Sequence, residues 1–461
     1  MVSNVDCLAI IDNKFILTQK IGSGGTSKVY LGYDIEDIER KNLYAIKLVH
    51  TKMNKDEEKY FLTEIQSLQK IQDPNVVSII GGNEGILTKN NKKKYLVKYI
   101  VLEYVRYGEL FDYIFFPQKG FGEELGKYIF VQLVNALDAC HKVGVSHRDV
   151  KTENVMLGEN WVIKLADFGF STLSQGKFGD GLLYTSLGTA SYASPELLLK
   201  KPYYGVMSDI FSLGVAMFVL VTGKMPFKHA HPEDNYYKEV CNGNFDEYWE
   251  KLRTKTPTTS LEFKKLFFML ISFDATQRPS LEEIRESEWL AGYVPNMEYI
   301  DNEFKQRREV VEYCKEQERL REENTNTGND RLYRSTDKNV VIDHDCDEEL
   351  NIEMYKDINN PYTIKFKNYA ANELLGLINN KLAQYSNVIA EIDNEKKQRI
   401  TLKVQEDDKV EINKSFIIAD FSLTLEVKMD EESNLLIVFK RIAGSKYDFF
   451  NFFKELEADI F

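Results

Sequence analysis

Apolar and polar residues alternate in short runs over the first hundred positions, and glycine turns separate the runs. FILTQKIGSGGTSKVYLGYDI is followed by NLYAIKLVH and later by KYLVKYIVLEYV. This two-residue period is typical of strands that bury one face. The run TKNNKKK at 88–94 separates two of these stretches and predicts a polar hairpin tip. Residues 14–105 are therefore predicted to form an antiparallel sheet.

Helical spacing interrupts this sheet once and then dominates the chain from 109 to 290. In DEEKYFLTEIQSLQKI the apolar residues recur every three or four positions, which predicts an amphipathic helix over 56–71. Its apolar positions are Phe61, Leu62, Ile65, Leu68 and Ile71. Further on, FSLGVAMFVLV at 211–221 is too short to span a bilayer and predicts a buried helix.

The pattern changes again after 290. Residues 301–360 contain 17 acidic and 10 basic side chains with few apolar ones, so 291–360 is predicted to be an acidic linker. We expect DNEFKQRREVVEYCKEQERLREE to form an exposed charged helix and the part around TNTGND to be disordered. Strand patterns return in YTIKFKN, RITLKV, FSLTLEVKM and LLIVFKR, and helical patterns in ANELLGLINNKLAQ and SKYDFFNFFKELEADI. Residues 361–461 are therefore predicted to form a small α+β domain.

Composition narrows the classes of protein that this chain can belong to. With 461 residues, 43% apolar and 28% charged, it is an ordinary globular chain of about two to four domains. The net charge of -13 argues against a dedicated nucleic-acid binder, because phosphate contacts need clustered Lys and Arg. The five scattered cysteines match neither a zinc site nor a disulfide framework. The stretch MVSNVDCLAI lacks the basic region and the long apolar core of a secretory signal, so a location in the cytoplasm, or peripheral at membranes, is expected.

Candidate chemistry begins with IGSGGTSKV at 21–29. Small residues in a turn between strands let backbone amides approach phosphate oxygens, although a plain glycine turn has the same appearance. The loop comprises Ile21, Gly22, Ser23, Gly24, Gly25, Thr26 and Ser27. Eighteen residues beyond Val29, Lys47 lies in the strand YAIK, and the following helix carries Glu64. An ion pair between Lys47 and Glu64 would direct the ammonium to the phosphates; solvated charges are the alternative.

A second charged stretch, SHRDVKTEN at 146–154, carries the residues that phosphoryl transfer needs. Asp149 can accept a hydrogen bond from a substrate hydroxyl, and Lys151 can stabilise the transferring phosphoryl group. Asn154 offers a neutral oxygen to Mg²⁺, and Asp167 in ADFGF offers an anionic one. A solvated surface loop is the alternative for each motif alone, but the ordered set predicts a site for phosphoryl transfer.

In order and spacing, these motifs of residues 14–290 resemble those of a eukaryotic protein kinase. The resemblance implies an α+β, bilobal fold with a β-rich N-lobe and an α-helical C-lobe, and the use of ATP and Mg²⁺. It also implies a nucleotide pocket with Leu102 as gatekeeper, Glu103 to Val105 as adenine hinge, Glu109 as ribose contact, and Val29, Ala45 and Met156 around the adenine. In this chain Ser27 replaces the third glycine of the loop, and Thr152 replaces the usual proline after Lys151.

The same resemblance assigns supporting residues. Asp209 in SDIFSLGV would brace the catalytic loop, and Glu196 at the end of SLGTASYASPE would pair with Arg278. Lys151 and Thr189 match the pattern of serine/threonine kinases. Glu109 and Glu153 match the acidic positions that receive an Arg three residues before the target in basophilic kinases. The implied partners are therefore protein substrates with Ser or Thr acceptors; a pseudokinase scaffold is the alternative function.

Two segments also point to regulation. LLYTSLGTASYASPE resembles the calcium/calmodulin and AMP-activated kinase group, which implies that an upstream kinase phosphorylates Thr185, with Ser186 as the adjacent alternative. The phosphate would neutralise Arg148, whose guanidinium we expect to be unpaired without it. VFKRIAGSKYDFFNFFKELEADI resembles the end of kinase-associated domain one. Residues 361–461 would then bind a regulatory partner, the kinase domain or anionic lipid, the last through a basic patch of Lys440, Arg441 and Lys446. An unrelated α+β interaction domain is the alternative.

Overall fold

The computed structural model describes most of the chain before 327 and five strands after it. The described residues are 7–23, 27–49, 53, 55–173, 180–185, 187–253 and 256–326, with 363–366, 388–392, 399–404, 422–429 and 435–443. The described residues fall into two compact units, the first extending through Val311 and the second beginning at Glu312. Each unit is described separately below.

A closed antiparallel barrel of six strands begins the first unit. Its strands are β1 (Ala9–Ile11), β2 (Phe15–Ser23), β3 (Ser27–Asp34), β4 (Leu43–Val49), β5 (Ile79–Lys89) and β6 (Lys94–Glu103). They pair in the order β1-β2-β3-β4-β6-β5, and β1 closes the barrel by pairing with both β2 and β5. The sheet predicted for 14–105 is present, and the predicted hairpin tip joins β5 to β6. The sequence pattern did not indicate β1, which has only three residues.

Helix α1 (Lys55–Lys70) lies against this barrel and agrees with the predicted helix to within one residue at each end. Phe61 and Leu68 are buried as expected, whereas Leu62 is half-exposed, contrary to the prediction. The buried face also contains Glu64 and Ser67, two polar residues that a hydrophobic pattern does not count. Helix α1 therefore presents polar groups to the interior of the first unit.

Helices dominate the remainder of the first unit. They are α2 (Asp112–Phe115), α3 (Gly122–Lys142), α4 (Pro195–Leu198), α5 (Gly205–Thr222), α6 (Tyr237–Asn242), α7 (Phe245–Leu252), α8 (Leu261–Leu270), α9 (Leu281–Arg285) and α10 (Met297–Asn326). Short strand pairs accompany them: β7 (Val145–Ser146) with β10 (Thr172–Leu173), β8 (Val155–Leu157) with β9 (Ile163–Leu165), and β11 (Leu182–Leu183) with β12 (Tyr203–Tyr204). Helix α5 contains the apolar run 211–221 and is buried along nearly its whole length, as predicted.

Helix α5 has the length and composition of a membrane-spanning segment, and it is the one such helix within the described ranges. However, 89% of that stretch is buried inside the protein. An apolar helix that packs on all sides within a lobe meets the same criteria as a membrane span. The structure therefore accounts for its apolar composition by core packing.

Helix α10 corrects the expectation of an exposed charged helix in the linker. Ile300, Phe304 and Val311 are buried in the core of the helical lobe, and Phe304 stacks on Trp161 with ring centroids 5.0 Å apart. These positions are separated by four and seven residues, so they lie along one helical face. The high charge of the segment concealed this apolar stripe. The segment around TNTGND lies largely outside the described residues.

The second unit contains a five-stranded antiparallel sheet. Its strands are β13 (Thr363–Phe366), β14 (Val388–Ile392), β15 (Arg399–Val404), β16 (Ser422–Met429) and β17 (Leu435–Ala443), in the order β13-β17-β16-β15-β14. Four of them coincide with the four predicted strands, and β14 was not predicted. The two predicted helices, ANELLGLINNKLAQ and SKYDFFNFFKELEADI, lie outside the described residues, as does Lys446 of the predicted basic patch.

Candidate active site

Lys47 lies between two carboxylates at the junction of the barrel and the helical lobe. Its Nζ is 2.8 and 2.9 Å from the two carboxylate oxygens of Glu64 on α1. It is also 3.1 Å from Oδ1 of Asp167, which follows β9. The Lys47 and Glu64 side chains are buried, whereas that of Asp167 is 55% exposed. Three distant parts of the sequence thus meet at one ammonium group, including the predicted pair of Lys47 and Glu64.

The charges in this cluster stabilise one another. Burial alone would lower the pKa of Lys47, but the carboxylates of Asp167 and Glu64 outweigh burial and raise that pKa above its ordinary value. In the other direction, the Lys47 ammonium lowers the pKa of Asp167 to about 2. At neutral pH, Lys47 therefore presents a cation and Asp167 an anion to the cleft.

Asp209 braces the loop that carries the second group of polar residues. The backbone N–H groups of His147 and Arg148 donate to its carboxylate at 2.9 and 2.7 Å, and His141 Nε2 lies 2.9 Å from it. Asp209 is fully buried on α5, where an unpaired carboxylate would be costly. Arg148 also adopts a φ of 65°, which is uncommon for a residue with a side chain. The buried brace thus maintains a strained backbone, in the place that the sequence resemblance implied.

Asp149 lies in this loop and accepts hydrogen bonds from several side chains. The hydroxyl of Thr189 donates to Oδ1 at 2.8 Å, and Asn154 Nδ2 donates to Oδ2 at 2.9 Å. Lys151 Nζ is 2.9 Å from Oδ2 and donates to the Thr189 hydroxyl at 2.7 Å. Burial would lower the pKa of Lys151, but Asp149 and Glu153 raise it above its ordinary value. The carboxylate of Asp149 is therefore ionically paired and fixed in orientation.

Asn154 and Asp167 are the oxygen donors that the sequence assigned to a metal ion. The side-chain amide nitrogen of Asn154 donates to Asp149, and the backbone carbonyl of Asn154 accepts a hydrogen bond from Ala166 N at 2.8 Å, next to Asp167. A Cβ built on Gly169 would lie 3.3 Å from Oδ1 of Asp167 and 4.0 Å from Lys47 Nζ. Glycine at 169 thus leaves room beside the carboxylate. Carboxylate and amide oxygens are hard donors that suit Mg²⁺, so these residues fit that ion.

The residues assigned to the nucleotide lie on neighbouring strands. Val29 pairs with Lys47 across β3 and β4, and Ala45 pairs with Leu102 across β4 and β6. Behind them, Glu109 forms an isolated β-bridge with Met156. Ile21, Gly22 and Ser23 end β2, and Ser27 begins β3, whereas Gly24, Gly25 and Thr26 lie outside the described residues. Val29 and Ala45, two of the assigned walls of the pocket, therefore lie beside Lys47 on the sheet.

The hinge residues Glu103 to Val105 begin with the last residue of β6. The side chain of Glu103 faces the protein: it accepts a hydrogen bond from Ser78 N at 2.7 Å and pairs with Lys164 at 2.9 Å. Val105 is buried. The Glu103 carboxylate is thus engaged within the protein, and the backbone N–H groups of Glu103 and Tyr104 donate to the carbonyls of Ser78 and Leu43.

Arg148 corrects one expectation. Its guanidinium was predicted to be unpaired, but Nε donates to the carbonyl of Phe170 at 2.6 Å and Nη1 donates to the Thr185 hydroxyl at 2.9 Å. A buried guanidinium is costly unless its donors find acceptors, and nearby backbone carbonyls provide them here. Thr185 itself is exposed and its carbonyl accepts from Tyr203 at 2.9 Å. Ser186 lies outside the described residues.

The pair implied at the end of this segment is present. Arg278 donates to both oxygens of Glu196 at 2.7 Å, and the Arg278 side chain is fully buried. Such a bidentate ion pair combines charge attraction with two hydrogen bonds of fixed geometry. The Ser67–Ser171 hydrogen bond and the contacts of His141 were not anticipated, because pairs distant in sequence leave no local pattern.

A six-stranded lobe above a helical lobe, with a paired lysine and a braced acidic loop at their junction, defines the class of protein kinases. Residues 15–290 match the family model described as "Protein kinase domain", and they make up more than half of the chain. The chain therefore belongs to the protein kinase family.

Similar proteins come from plants. CBL-interacting protein kinase 33 of Oryza sativa subsp. japonica is 38% identical over 279 residues, which cover 60% of this chain and 56% of that protein. CBL-interacting protein kinase 32 of the same plant is 37% identical over 279 residues, with 60% and 58% covered. CBL-interacting serine/threonine-protein kinase 5 of Arabidopsis thaliana is 34% identical over 289 residues, with 61% and 59% covered. The chain thus spans somewhat more than half the length of these curated relatives.

Proposed function

We propose that this protein is an ATP-dependent serine/threonine protein kinase that uses Mg²⁺. The observation that carries the proposal is the convergence of Lys47, Glu64 and Asp167 beside the braced Asp149. The names of the plant relatives support the same activity. A pseudokinase scaffold is not favoured, because Lys47, Asp149 and Asp167 are all present and correctly paired.

In the proposed reaction a hydroxyl oxygen forms a bond to the γ-phosphorus of ATP while the bond from that phosphorus to the β,γ-bridging oxygen breaks and ADP leaves. Asp149 orients the hydroxyl and receives its proton, and the Lys151 ammonium stabilises the transferring group. Mg²⁺, when bound through Asn154 and Asp167, offsets phosphate charge. Lys47 contributes a fixed positive charge that needs no reorganisation during the reaction.

The acceptor is proposed to be Ser or Thr because Lys151 and Thr189 match the pattern of serine/threonine kinases. In the structure these two residues contact each other, and Thr189 donates to Asp149. This contact supports a role for Thr189 in fixing the loop next to the acceptor. Glu109 and Glu153 provide negative charge near the acceptor and motivate a preference for Arg in the substrate. In this proposal Leu102 acts as gatekeeper at the back of the nucleotide pocket.

Regulation is proposed to act at two places. An upstream kinase would phosphorylate Thr185, and the phosphate would take over the contact that Arg148 now makes with the hydroxyl. Residues 361–461 would form a domain like kinase-associated domain one and bind a regulatory partner or an anionic membrane. The relatives' names describe interaction with CBL, which motivates the search for a protein partner. A location in the cytoplasm, or peripheral at membranes if residues 361–461 bind lipid, stays a prediction.

The test uses the purified full chain and ATP labelled in the γ-phosphate. It measures transfer of the label to libraries of peptides that contain Ser, Thr or Tyr. We expect Ser and Thr peptides to be labelled, and Asp149→Asn to reduce turnover by roughly 10²- to 10⁴-fold. Asp138→Asn is the matched control, because Asp138 pairs with Lys142 and Arg285 on the surface of α3. Equal turnover of Asp149→Asn and wild type would refute the proposed function.

A further inference from the structure

Two buried serines connect helix α1 to the segment that follows Phe170. The Ser171 hydroxyl donates to the Ser67 hydroxyl at 2.9 Å, and the two residues are 1% and 0% exposed. A buried hydroxyl that loses its partner keeps the full cost of leaving water. This hydrogen bond therefore favours the particular placement of α1 in which the two hydroxyl groups meet.

The position of this pair relates it to Lys47. Ser67 lies three residues after Glu64 on the same face of α1, and Ser171 lies four residues after Asp167. Glu64 and Asp167 are the two carboxylates that contact the Lys47 ammonium. The serine pair thus connects the same two segments that Lys47 connects, about one helical turn further along α1.

The surroundings of Ser171 connect the pair to the rest of the site. Its N–H donates to the carbonyl of Phe168 at 2.9 Å, and the carbonyl of Phe170 accepts from Arg148 at 2.6 Å. The ring of Phe170 also meets Tyr60 of α1 edge to face, with centroids 6.4 Å apart. The segment on which Ser171 lies is therefore fixed from the side of the catalytic loop, and α1 is attached to it.

We propose that Ser67 and Ser171 are positioning residues for phosphoryl transfer. Their hydrogen bond sets the rotation of α1 about its axis, and this rotation directs Glu64 to Lys47. Neither serine contacts substrate; both act through Glu64. An apolar pair of the same size would pack in several rotations, whereas a donor and an acceptor in a dry interior meet in only one. The inference rests on the proposed kinase function.

The experiment compares Ser67→Ala, Ser171→Ala and the double variant in the full chain. Each single change is expected to reduce kcat/KM for ATP by about 3- to 10-fold, the effect of one net hydrogen bond. The KM for the peptide acceptor should not change, because Asp149 and Lys151 remain in place. The double variant should be no worse than either single variant, since both changes remove the same bond.

Ser208→Ala is the matched control. Ser194 donates to Ser208 at 3.2 Å, and both residues are buried in the helical lobe, so this change removes a similar hydrogen bond away from α1. We expect Ser208→Ala to lower the unfolding temperature about as much as Ser67→Ala while kcat/KM for ATP is retained. A merely structural role for Ser67 would give equal losses of activity in the two variants and would overturn the proposal.

Hydrogen exchange provides a readout that does not depend on activity. Backbone amides of α1 should exchange faster in Ser67→Ala and in Ser171→Ala than in wild type, and should be unchanged in Ser208→Ala. If wild type transfers no phosphate, the proposed function fails, and the exchange rates still decide whether the pair positions α1. Unchanged exchange in α1, or additive losses in the double variant, would refute the positioning role.

Discussion

At the scale of single residues, Lys47 has the clearest assigned role, because two carboxylates from different segments contact it. Replacing it with Met should leave both carboxylates without their cation and remove a preorganised charge from the site. We predict that Lys47→Met lowers kcat by roughly 10²- to 10³-fold in a γ-phosphate transfer assay. Lys14→Met is the control, because Lys14 is mostly exposed and lies 3.9 Å from Asp34 at the surface. Comparable losses in both variants would contradict this role.

The pKa of Asp167 leads to a prediction about pH. Lys47 lowers that pKa to about 2 from an ordinary 3.8, so the folded state releases this proton more readily than the unfolded chain does. The resulting stabilisation is complete above about pH 4 and is lost as the pH falls from 4 towards 2. In Lys47→Met the titration midpoint of Asp167 should rise towards 3.8. Carboxyl NMR of the two proteins measures it, and an unchanged midpoint would exclude Lys47 as the cause.

Thr185 is the third residue with a testable role. Since Arg148 already contacts its hydroxyl, a phosphate there would strengthen an existing contact rather than create a new one. We predict that treatment with an upstream kinase raises the activity of wild type at least several-fold and leaves Thr185→Ala at its basal level. Ser186→Ala should respond like wild type. If Thr185→Ala is fully activated and Ser186→Ala is not, the activating phosphorylation site is Ser186 rather than Thr185.

Sequence motifs predicted the contact between two charged residues of the site correctly. They did not predict the hydrogen-bond partners of other buried polar residues. Lys47 and Glu64 were expected to pair because each belongs to a recognisable local motif, and the structure contains that pair. The partners of Arg148 were predicted wrongly, because its acceptors are mainly backbone carbonyls, which are present at every position and leave no trace in a sequence. The Ser67–Ser171 contact was missed for another reason: it joins two side chains that are 104 residues apart, and such a pair leaves no local pattern.

At the scale of secondary-structure elements, α10 departs most from expectation. Arg307 donates to the carbonyls of Tyr113, Lys119 and Gly120 at 2.7 to 2.8 Å, and its guanidinium lies 4.5 Å from the ring centroid of Phe121. Burial lowers the pKa of Arg307, and Glu303 opposes this change. Hydrogen bonds thus connect the first turns of α10 to α2 and to the loop that follows it. The compact fold therefore continues beyond residue 290.

This contact predicts how truncation affects stability. A protein that ends at residue 290 loses Phe304 and Arg307, and we expect it to be less stable or insoluble compared with one that ends at 311. Within the full chain, Phe304→Ala should lower the free energy of unfolding by about 3 to 5 kcal/mol, as typical for a buried aromatic ring. Val310→Ala, at a partly exposed position of the same helix, serves as control. Chemical denaturation measures both; equal effects would show that α10 packs only loosely.

Strand and helix predictions succeeded where a period had room to repeat. Helix α1 spans sixteen residues and was predicted to within one residue, whereas β1 has only three residues, too few to establish a period. For α10 the period was present at 300, 304 and 311, but the surrounding charges were given more weight. The charge composition of residues 301–360 thus led to the wrong prediction of an exposed helix, whereas the spacing of the apolar residues on one face of α10 indicated a buried one.

At the scale of the whole molecule, the two compact units raise the question of what the second unit contributes. Its five-stranded sheet includes Lys440 and Arg441 on β17, two of the three residues of the predicted basic patch. We predict that deleting 361–461 changes kinase activity or cellular location, and that the full chain binds vesicles with anionic lipid more strongly than neutral ones. Lys440→Glu with Arg441→Glu should reduce that binding, with Lys428→Glu on β16 as control. If deletion and vesicle charge have no effect, the regulatory proposal fails.

The closed barrel has a consequence for how the protein behaves in solution. An open sheet presents unpaired N–H and C=O groups at its edges, and these groups can recruit strands from other molecules. Strand β1 pairs with three residues at the edge of β2 and three at the edge of β5, for example through the pairs of Ala9 with Leu17 and with Lys89. Removing the three residues of β1 would expose two edges together, and intermolecular strand pairing would follow. We therefore expect this short strand to limit self-association of the β-rich lobe.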